Sequence, residues 1–220
     1  MNRVDRSTLF ASALAKLPLV AILRGLRPAE AADIGLALEQ AGFALIEVPL
    51  NSPDPLASIE TLRRVLRHDT LVGAGTVTRV DDVRRLQELG ADIVVMPHAD
   101  TAVIRAAKAA DLLCVPGIAT PTEAFAALDA GADALKLFPA ELVTPGVLKA
   151  MRAVLPAGVP LLPVGGITPD SLAGWRAAGV QGFGLGSALY RPGLSAADVA
   201  ANAVDFVRAW QACAAAPPSS

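Results

Sequence analysis

Two histidines, two cysteines and four lysines in 220 residues leave little material for several common chemistries. Cys114 and Cys213 are far apart, match no metal-binding spacing and cannot build a disulfide framework, so a reduced, cytoplasmic setting is the simplest reading. His68 and His98 are equally distant and no acidic cluster accompanies them; no protein-ligated metal is expected. No block of one charge sign occurs. The formal net charge of -2, without a basic run or an acidic tail, argues against nucleic acid or an anionic membrane surface as partner. Nor is there a long apolar run. The longest uncharged stretch, residues 153–169, carries four prolines and three glycines, whereas a spanning helix needs about 20 apolar residues without such breakers. Residues 3–17 are not expected to act as a signal peptide. Arg3, Asp5 and Arg6 precede Leu9, Phe10, Ala13, Leu14 and Leu17, which follow helical spacing with Lys16 among them, so an extra N-terminal helix is expected.

Apolar residues make up 53 % of the chain and charged ones 18 %, the reverse of a disordered balance. A chain of this length buries roughly 70–75 % of the surface its unfolded form exposes. The length prior gives a single domain over residues 1–220, with the closing AAAPPSS (214–220) expected as a disordered tail.

The chain repeats one pattern: EQAGFALIEV (39–48), QELGADIVVM (87–96), LDAGADALKLF (128–138) and RAAGVQGFGLG (176–186). In each, a helical segment ends at a glycine and an apolar run follows. Gly42, Gly90, Gly131 and Gly179 stand where a helix needs a left-handed residue after its last turn. Strands are predicted near 19–24, 45–50, 71–75, 93–97, 112–116, 134–138, 160–164 and 182–186. Helices fill the gaps near 28–41, 54–67, 79–89, 100–109, 121–129, 145–154, 169–177 and 196–212. Pro28 with Glu30, Pro121 with Glu123, and Thr168-Pro169-Asp170 are good helix starts. The strand runs are continuously apolar, as parallel strands covered on both faces should be. The expected fold is therefore α/β, a (β/α)8 TIM barrel with an extra N-terminal helix; an open, doubly wound sheet is the alternative.

In a barrel, active sites lie at the C-terminal ends of the strands. Those ends carry Arg24, Glu47, Asn51, Thr76, Pro97, His98, Gly117, Lys136, Gly165, Gly166, Gly186 and Ser187. Lys136 lies inside the apolar LKLF, where burial lowers an ammonium's pKa toward that of a free amine able to form an imine. The competing reading is a lysine that snorkels to the rim or pairs with a carboxylate. Glu47, in IEVP, is a second isolated ionisable group; desolvation would raise its pKa and suit it to proton transfer, or it is a buried partner of Arg24 or Lys136. Arg24 suits bidentate binding of a substrate carboxylate, or an ion pair with Glu47. Thr76 offers a hydroxyl and a nearby amide to the same carboxylate.

The loops VGGIT (164–168) and GLGSAL (184–189) follow the last two strands, where this fold often binds phosphate. Gly165, Gly166, Gly186 and Ser187 are the candidates; tight turns are the plainer use of the glycines. Neither GAGTVT nor GFGLGS is a dinucleotide fingerprint. His68 is read as a surface residue, His98 as secondary, and Cys114 as a small packed hydrophobe.

The ordered motifs IEVPLNSP, GAGTV, PGIAT, ALKLFPAE, VGGITP and GLGSALY resemble the 2-keto-3-deoxy-6-phosphosugar-acid aldolases, and the resemblance runs from Pro18 to Trp210. It implies a class I aldolase with its Schiff base on Lys136, a proton-shuttling Glu47, a homotrimer, and a small phosphorylated keto acid as substrate. No metal or organic cofactor is implied. The pyruvate part of such a substrate would meet Arg24 and Thr76 at its carboxylate, and Pro97 and Phe138 at its apolar end. Two branches of the family differ in the C4 configuration of the substrate. PLNSP (49–53) and PVGG (163–166) resemble the galactonate type, where the gluconate type has an EVTLRT-like stretch and PTGG. Asn51 and Val164 are thus the specificity candidates, because a threonine hydroxyl can hydrogen-bond a substrate OH and a valine cannot. A gluconate-type aldolase that also cleaves 4-hydroxy-2-oxoglutarate, a phosphate-binding barrel enzyme using Glu47 without an imine, and a non-catalytic module remain the alternatives.

Overall fold

The structure is a computed structural model and describes residues 5–215. Asp5 caps the first helix, α1 (Arg6–Lys16), by accepting from the Ser7 amide. Units of strand and helix then alternate: β1 (Leu19–Ile22), α2 (Pro28–Gln40), β2 (Leu45–Pro49), α3 (Pro55–Val65), β3 (Leu71–Gly75) and α4 (Val80–Leu89). They continue through β4 (Ile93–Val95), α5 (Thr101–Ala109), β5 (Leu113–Val115), β6 (Gly117–Ile118), α6 (Pro121–Asp129), β7 (Leu135–Leu137) and α7 (Pro145–Arg152). The last elements are β8 (Leu161–Pro163), a 3-10 turn Pro169–Ser171 leading into α8 (Leu172–Ala177), β9 (Phe183–Leu185) and α9 (Ala196–Ala215). Of the expected tail, Ala214 and Ala215 lie within α9, and 216–220 are outside the described residues.

The expected punctuation works as local chemistry. Gly42, Gly90, Gly131 and Gly179 have φ of 101°, 76°, 101° and 97°, the left-handed region that a Cβ disfavours. Thr120 and Glu123 form a reciprocal capping box at the start of α6, and Asp100 accepts from two amides at the start of α5.

All paired strands are parallel. Six of them form a curled sheet in the order β5-β4-β3-β2-β1-β9, and three form a second sheet in the order β6-β7-β8. A single continuous sheet of eight strands was expected, and the difference has a local cause. The expected fifth strand, 112–116, is found as β5, and a short strand that was not expected, β6, follows it beyond Pro116, which has no N–H to give to a ladder. Its carbonyl still accepts from the Lys136 amide at 2.9 Å, and the Cys114 carbonyl accepts from Asp133 at 2.9 Å. At the other seam, Val164 and Gly184 form a parallel bridge. Within the six-stranded sheet the order never reverses between sequence neighbours, so the switch point of a doubly wound sheet is missing from it.

Side chains alternate between two apolar clusters. Ala21, Ile46, Val72, Val94 and Leu135 pack outward against the helices. Val20, Leu45, Leu71, Ile93, Leu113, Ala134 and Leu162 point to the concave side, where Phe10 and Ala13 of α1 join them. Helix α1 is tied down by Arg6, which donates to Asp92 at 3.2 Å and to the Asp111 carboxylate at 3.1 Å. Among the described residues no helix is long and apolar enough to cross a membrane.

Candidate active site

Period-two alternation decides where the ionisable side chains of the strands go. In β2, Leu45 faces the concave cluster, so Glu47, two residues on, faces the same side. Ala134, just before β7, and Lys136 within it share that side by the same rule. Register aligns Glu47 with Ile22 and Gly73, and Lys136 with Gly117 and Leu162. Both side chains are buried, Glu47 at 1 % exposure and Lys136 at 5 %. They line one small apolar cavity with Ile22, Val95, Val164 and Gly184.

No salt bridge joins the two among the described residues, and Oε2 of Glu47 has no hydrogen-bond partner. Burial sets their titration. Loss of water pushes the Glu47 carboxyl up to about 7, against a smaller opposing pull from Lys136 and Arg24. Loss of water also lowers the Lys136 ammonium; Glu47 works against that shift and Arg24 with it. The Lys136 Nζ stands 4.6 Å from the centre of the Phe138 ring. Burial therefore shifts both groups toward their uncharged forms, an amine and a carboxylic acid.

Glycines make room for this arrangement. A Cβ on Gly75 would collide with the Glu47 carboxylate, and one on Gly184 would lie 2.5 Å from a Val164 methyl. Neither glycine was singled out as a candidate, although Gly73 and Gly75 recur at the strand period in an apolar run, a signal of side chains omitted from one face.

At the rim, Arg24 is exposed and donates to Asn51 Oδ1 at 2.7 Å, not to Glu47. The next residues repeat the link, with the Gly25 amide donating to the Ser52 hydroxyl at 2.9 Å. Thr76 has φ of 55°, an uncommon conformation for a β-branched residue, and it closes β3 beside Gly75. Asn51 and Thr76 line a larger open cleft of about 440 Å³ with Thr78, Asp82 and Arg85, outside the cavity that holds the lysine and glutamate. This cleft contains no buried ionisable group, so size does not mark the chemistry here.

The glycine loops lie side by side because Val164 pairs with Gly184. Gly165 and Gly166 have φ of 117° and 60°. The Gly186 carbonyl accepts from the Leu189 and Tyr190 amides, closing the turn that exposes Ser187. Glu141 was not anticipated there: a Cβ on Gly165 would lie 2.5 Å from its carboxylate. Pro97 and Phe138 are half-buried and His98 is exposed, as is His68. Burial pushes the Cys114 thiol up to about 12, and its Sγ lies 3.8 Å from the Met96 sulfur, which fits packing and not reactivity.

The comparisons agree with one another. The family model described as "Aldolase: KDPG and KHG aldolase" matches residues 10–204. The chain is 47 % identical over 195 residues to the "Probable 2-dehydro-3-deoxy-6-phosphogalactonate aldolase" of Rhizobium meliloti, covering 89 % of this chain and 92 % of that one. It is 46 % identical over 197 residues to the 2-dehydro-3-deoxy-6-phosphogalactonate aldolase of Escherichia coli, covering 89 % and 96 %. Among solved structures, "Native KDPGal structure" superposes with a TM-score of 0.89 at 45 % identity, covering 90 % of this chain and 97 % of that one.

Proposed function

We infer, from the premise that this chain belongs to the KDPG and KHG aldolase family, that its buried lysine and glutamate form the reacting pair of a class I aldolase. The chain is a carbon–carbon lyase. Its proposed reaction is cleavage of 2-dehydro-3-deoxy-6-phospho-D-galactonate to pyruvate and D-glyceraldehyde 3-phosphate, a step of galactonate breakdown. The observation that carries the reading is the geometry of one small cavity. It holds an amine and a carboxyl, both buried, both shifted toward neutrality, and not consumed by each other.

The two sheets are read as parts of one closed (β/α)8 barrel in a single domain. Support comes from the Val164–Gly184 bridge at one seam and the hydrogen bonds from Asp133 and Lys136 to the β5–β6 segment at the other. The cavity then opens toward the strands' C-terminal rim.

In the proposed mechanism the neutral Lys136 Nζ attacks C2 of the keto acid. The carbinolamine loses its hydroxyl as water, taking a proton from the Glu47 carboxyl, and an iminium remains on Lys136. The Glu47 carboxylate, through a water, accepts the proton of the C4 hydroxyl. The C3–C4 pair of electrons flows to the iminium nitrogen, the aldehyde leaves, and an enamine is left. Glu47 returns its proton to C3, and hydrolysis of the iminium frees pyruvate and the amine. A carboxyl that titrates at about 7 is suited to both directions of transfer near neutrality. Arg24, held by Asn51, and Thr76 would bind the substrate carboxylate, with Pro97 and Phe138 against its apolar end. The amides of Gly165, Gly166 and Gly186 and the Ser187 hydroxyl would hold the phosphate. Val164, 9 % exposed in the cavity, offers no hydrogen bond at the position where the gluconate type has threonine.

Two coarser matters complete the reading. A homotrimer is proposed from the family resemblance, and exposed apolar side chains such as Leu142 at 71 % and Val154 at 56 % are available to be covered. A cytoplasmic setting is proposed from the two free cysteines.

The test is pyruvate release from the galactonate substrate and its gluconate epimer, side by side, coupled to lactate dehydrogenase. Preference for the galactonate epimer is expected. Preference for the gluconate epimer, or equal rates, would show that Val164 and Asn51 do not set C4 specificity.

A further inference from the structure

The mouth of a barrel receives the substrate, but the opposite end must also be closed if the reacting pair is to stay dry. Here that end is closed by α1. Phe10, 5 % exposed, packs with Val20, Leu45, Leu71, Ile93 and Leu162, side chains from both sheets. Phe10, Val20, Ile93 and Leu162 of this cluster also line the cavity that holds Glu47 and Lys136. Between Phe10 and that pair the cavity wall is wholly apolar: Val20, Ile22, Ile93, Val95, Val115 and Leu162. Helix α1 puts no charge into the cavity. Of its two basic residues, Arg6 points away, to Asp92 and Asp111, and Lys16 is exposed. Asp92 is buried and also accepts from Arg63 at 2.6 Å and from the Val72 amide at 3.0 Å, so Arg6 is anchored on a fixed carboxylate.

We propose that α1 is a stopper: Phe10 forms the floor of the Lys136–Glu47 cavity and keeps water from entering it at the N-terminal ends of the strands, with Arg6 locking the helix in place. The proposal rests on the reading of Lys136 and Glu47 as the reacting pair. Phe10 is a positioning residue, because it acts on the amine and the carboxyl through the solvent it excludes. Two observations support that role. Desolvation is the largest influence on both groups, and the ionisable groups bearing on Lys136 are Glu47 from β2 and Arg24 from the loop after β1. If the floor opened, water would restore the ammonium and the carboxylate together, and each charged form would stabilise the other. Fewer chains would then carry a free amine at neutral pH.

The experiment is borohydride trapping of pyruvate on the full chain as a function of pH, for the wild type, Phe10→Ala and Phe10→Leu, with folding checked by circular dichroism. For Phe10→Ala the trapping rate at pH 7 should fall about tenfold, the equivalent of one unit of titration. The pH of half-maximal trapping should move up. In turnover, kcat should fall while KM for the phosphorylated substrate stays within about twofold, because the mouth is untouched. Phe10→Leu, which refills most of the floor, should restore both values. A folded Phe10→Ala with an unshifted pH midpoint would overturn the proposal, as would a Phe10→Leu as impaired as the alanine. If Phe10→Ala does not fold, Phe10→Val gives the same reading with a smaller opening. Failure of the wild type to trap pyruvate at all would instead remove the premise that Lys136 is the nucleophile.

Discussion

At the scale of single residues, the cost of the site is concentrated in Glu47. Its carboxyl is buried, lacks a partner for one oxygen, and titrates at about 7 instead of 4.5. The folded chain therefore holds this proton more tightly than the unfolded chain does. The stability this contributes is full below pH 4.5 and is lost as the pH rises through about 7. Glu47→Gln removes the ionisation. The variant should be more stable than the wild type at pH 8 by up to about 3 kcal/mol, and the difference should vanish toward pH 4. Urea melts at the two pH values measure it. The same variant should still bind pyruvate but lose roughly 100-fold or more in turnover, the usual worth of a positioned acid–base group. Near-normal turnover would reduce Glu47 to a structural residue.

Lys136 and Glu47 were legible in the sequence because a charge inside LKLF or IEVP contradicts its surroundings. Gly75 and Phe10 were not, since each has a bland local context. Gly75 falls inside the predicted strand 71–75 as one more small apolar-run residue, and a phenylalanine at helical spacing reads as core. Only the fold shows that one leaves space for the Glu47 carboxylate and the other borders the same cavity. Glu141 was missed for the opposite reason. It is an ordinary exposed glutamate whose position over Gly165 comes from a loop that no periodicity describes.

Elements are set by short signals, and those carried furthest. Glycines after helices, prolines at first turns and apolar runs near five residues locate strands and helices with ends shifted by at most three residues. The exception is β6. Gly117–Ile118 lies beyond the run at 112–116 and was not expected as a strand; the missing N–H at Pro116 separates it from β5. Two glycines separate backbone conformation from packing. Gly90 stands at φ 76° with open space where a Cβ would go, whereas Gly174 has the same open space without a positive φ inside α8. Gly90→Ala should destabilise the chain by about 1 kcal/mol through the left-handed conformation alone. Gly174→Ala should stabilise it by roughly 0.5–1 kcal/mol through helix propensity. Thermal melts of the two variants should move in opposite directions; a loss in both would mean that Gly174 serves an unseen contact.

For the whole molecule, the repeated unit predicted parallel strands with helices outside, and the curled sheets have that form. Assembly lies beyond any repeat, because nothing in one chain's hydropathy pattern says which exposed side chains meet a second copy. The proposed trimer predicts a solution mass three times that of one chain by light scattering. Leu142→Glu, at a side chain 71 % exposed, tests whether that surface is covered: a lower mass is expected if it is, and an unchanged trimer would place the contact elsewhere. The central claim, a covalent imine on one buried lysine, has a more direct test. Borohydride reduction in the presence of pyruvate, followed by peptide mass spectrometry, should place the adduct on Lys136, and Lys136→Met should abolish it. An adduct on another of the four lysines, or one that survives in Lys136→Met, would contradict the account.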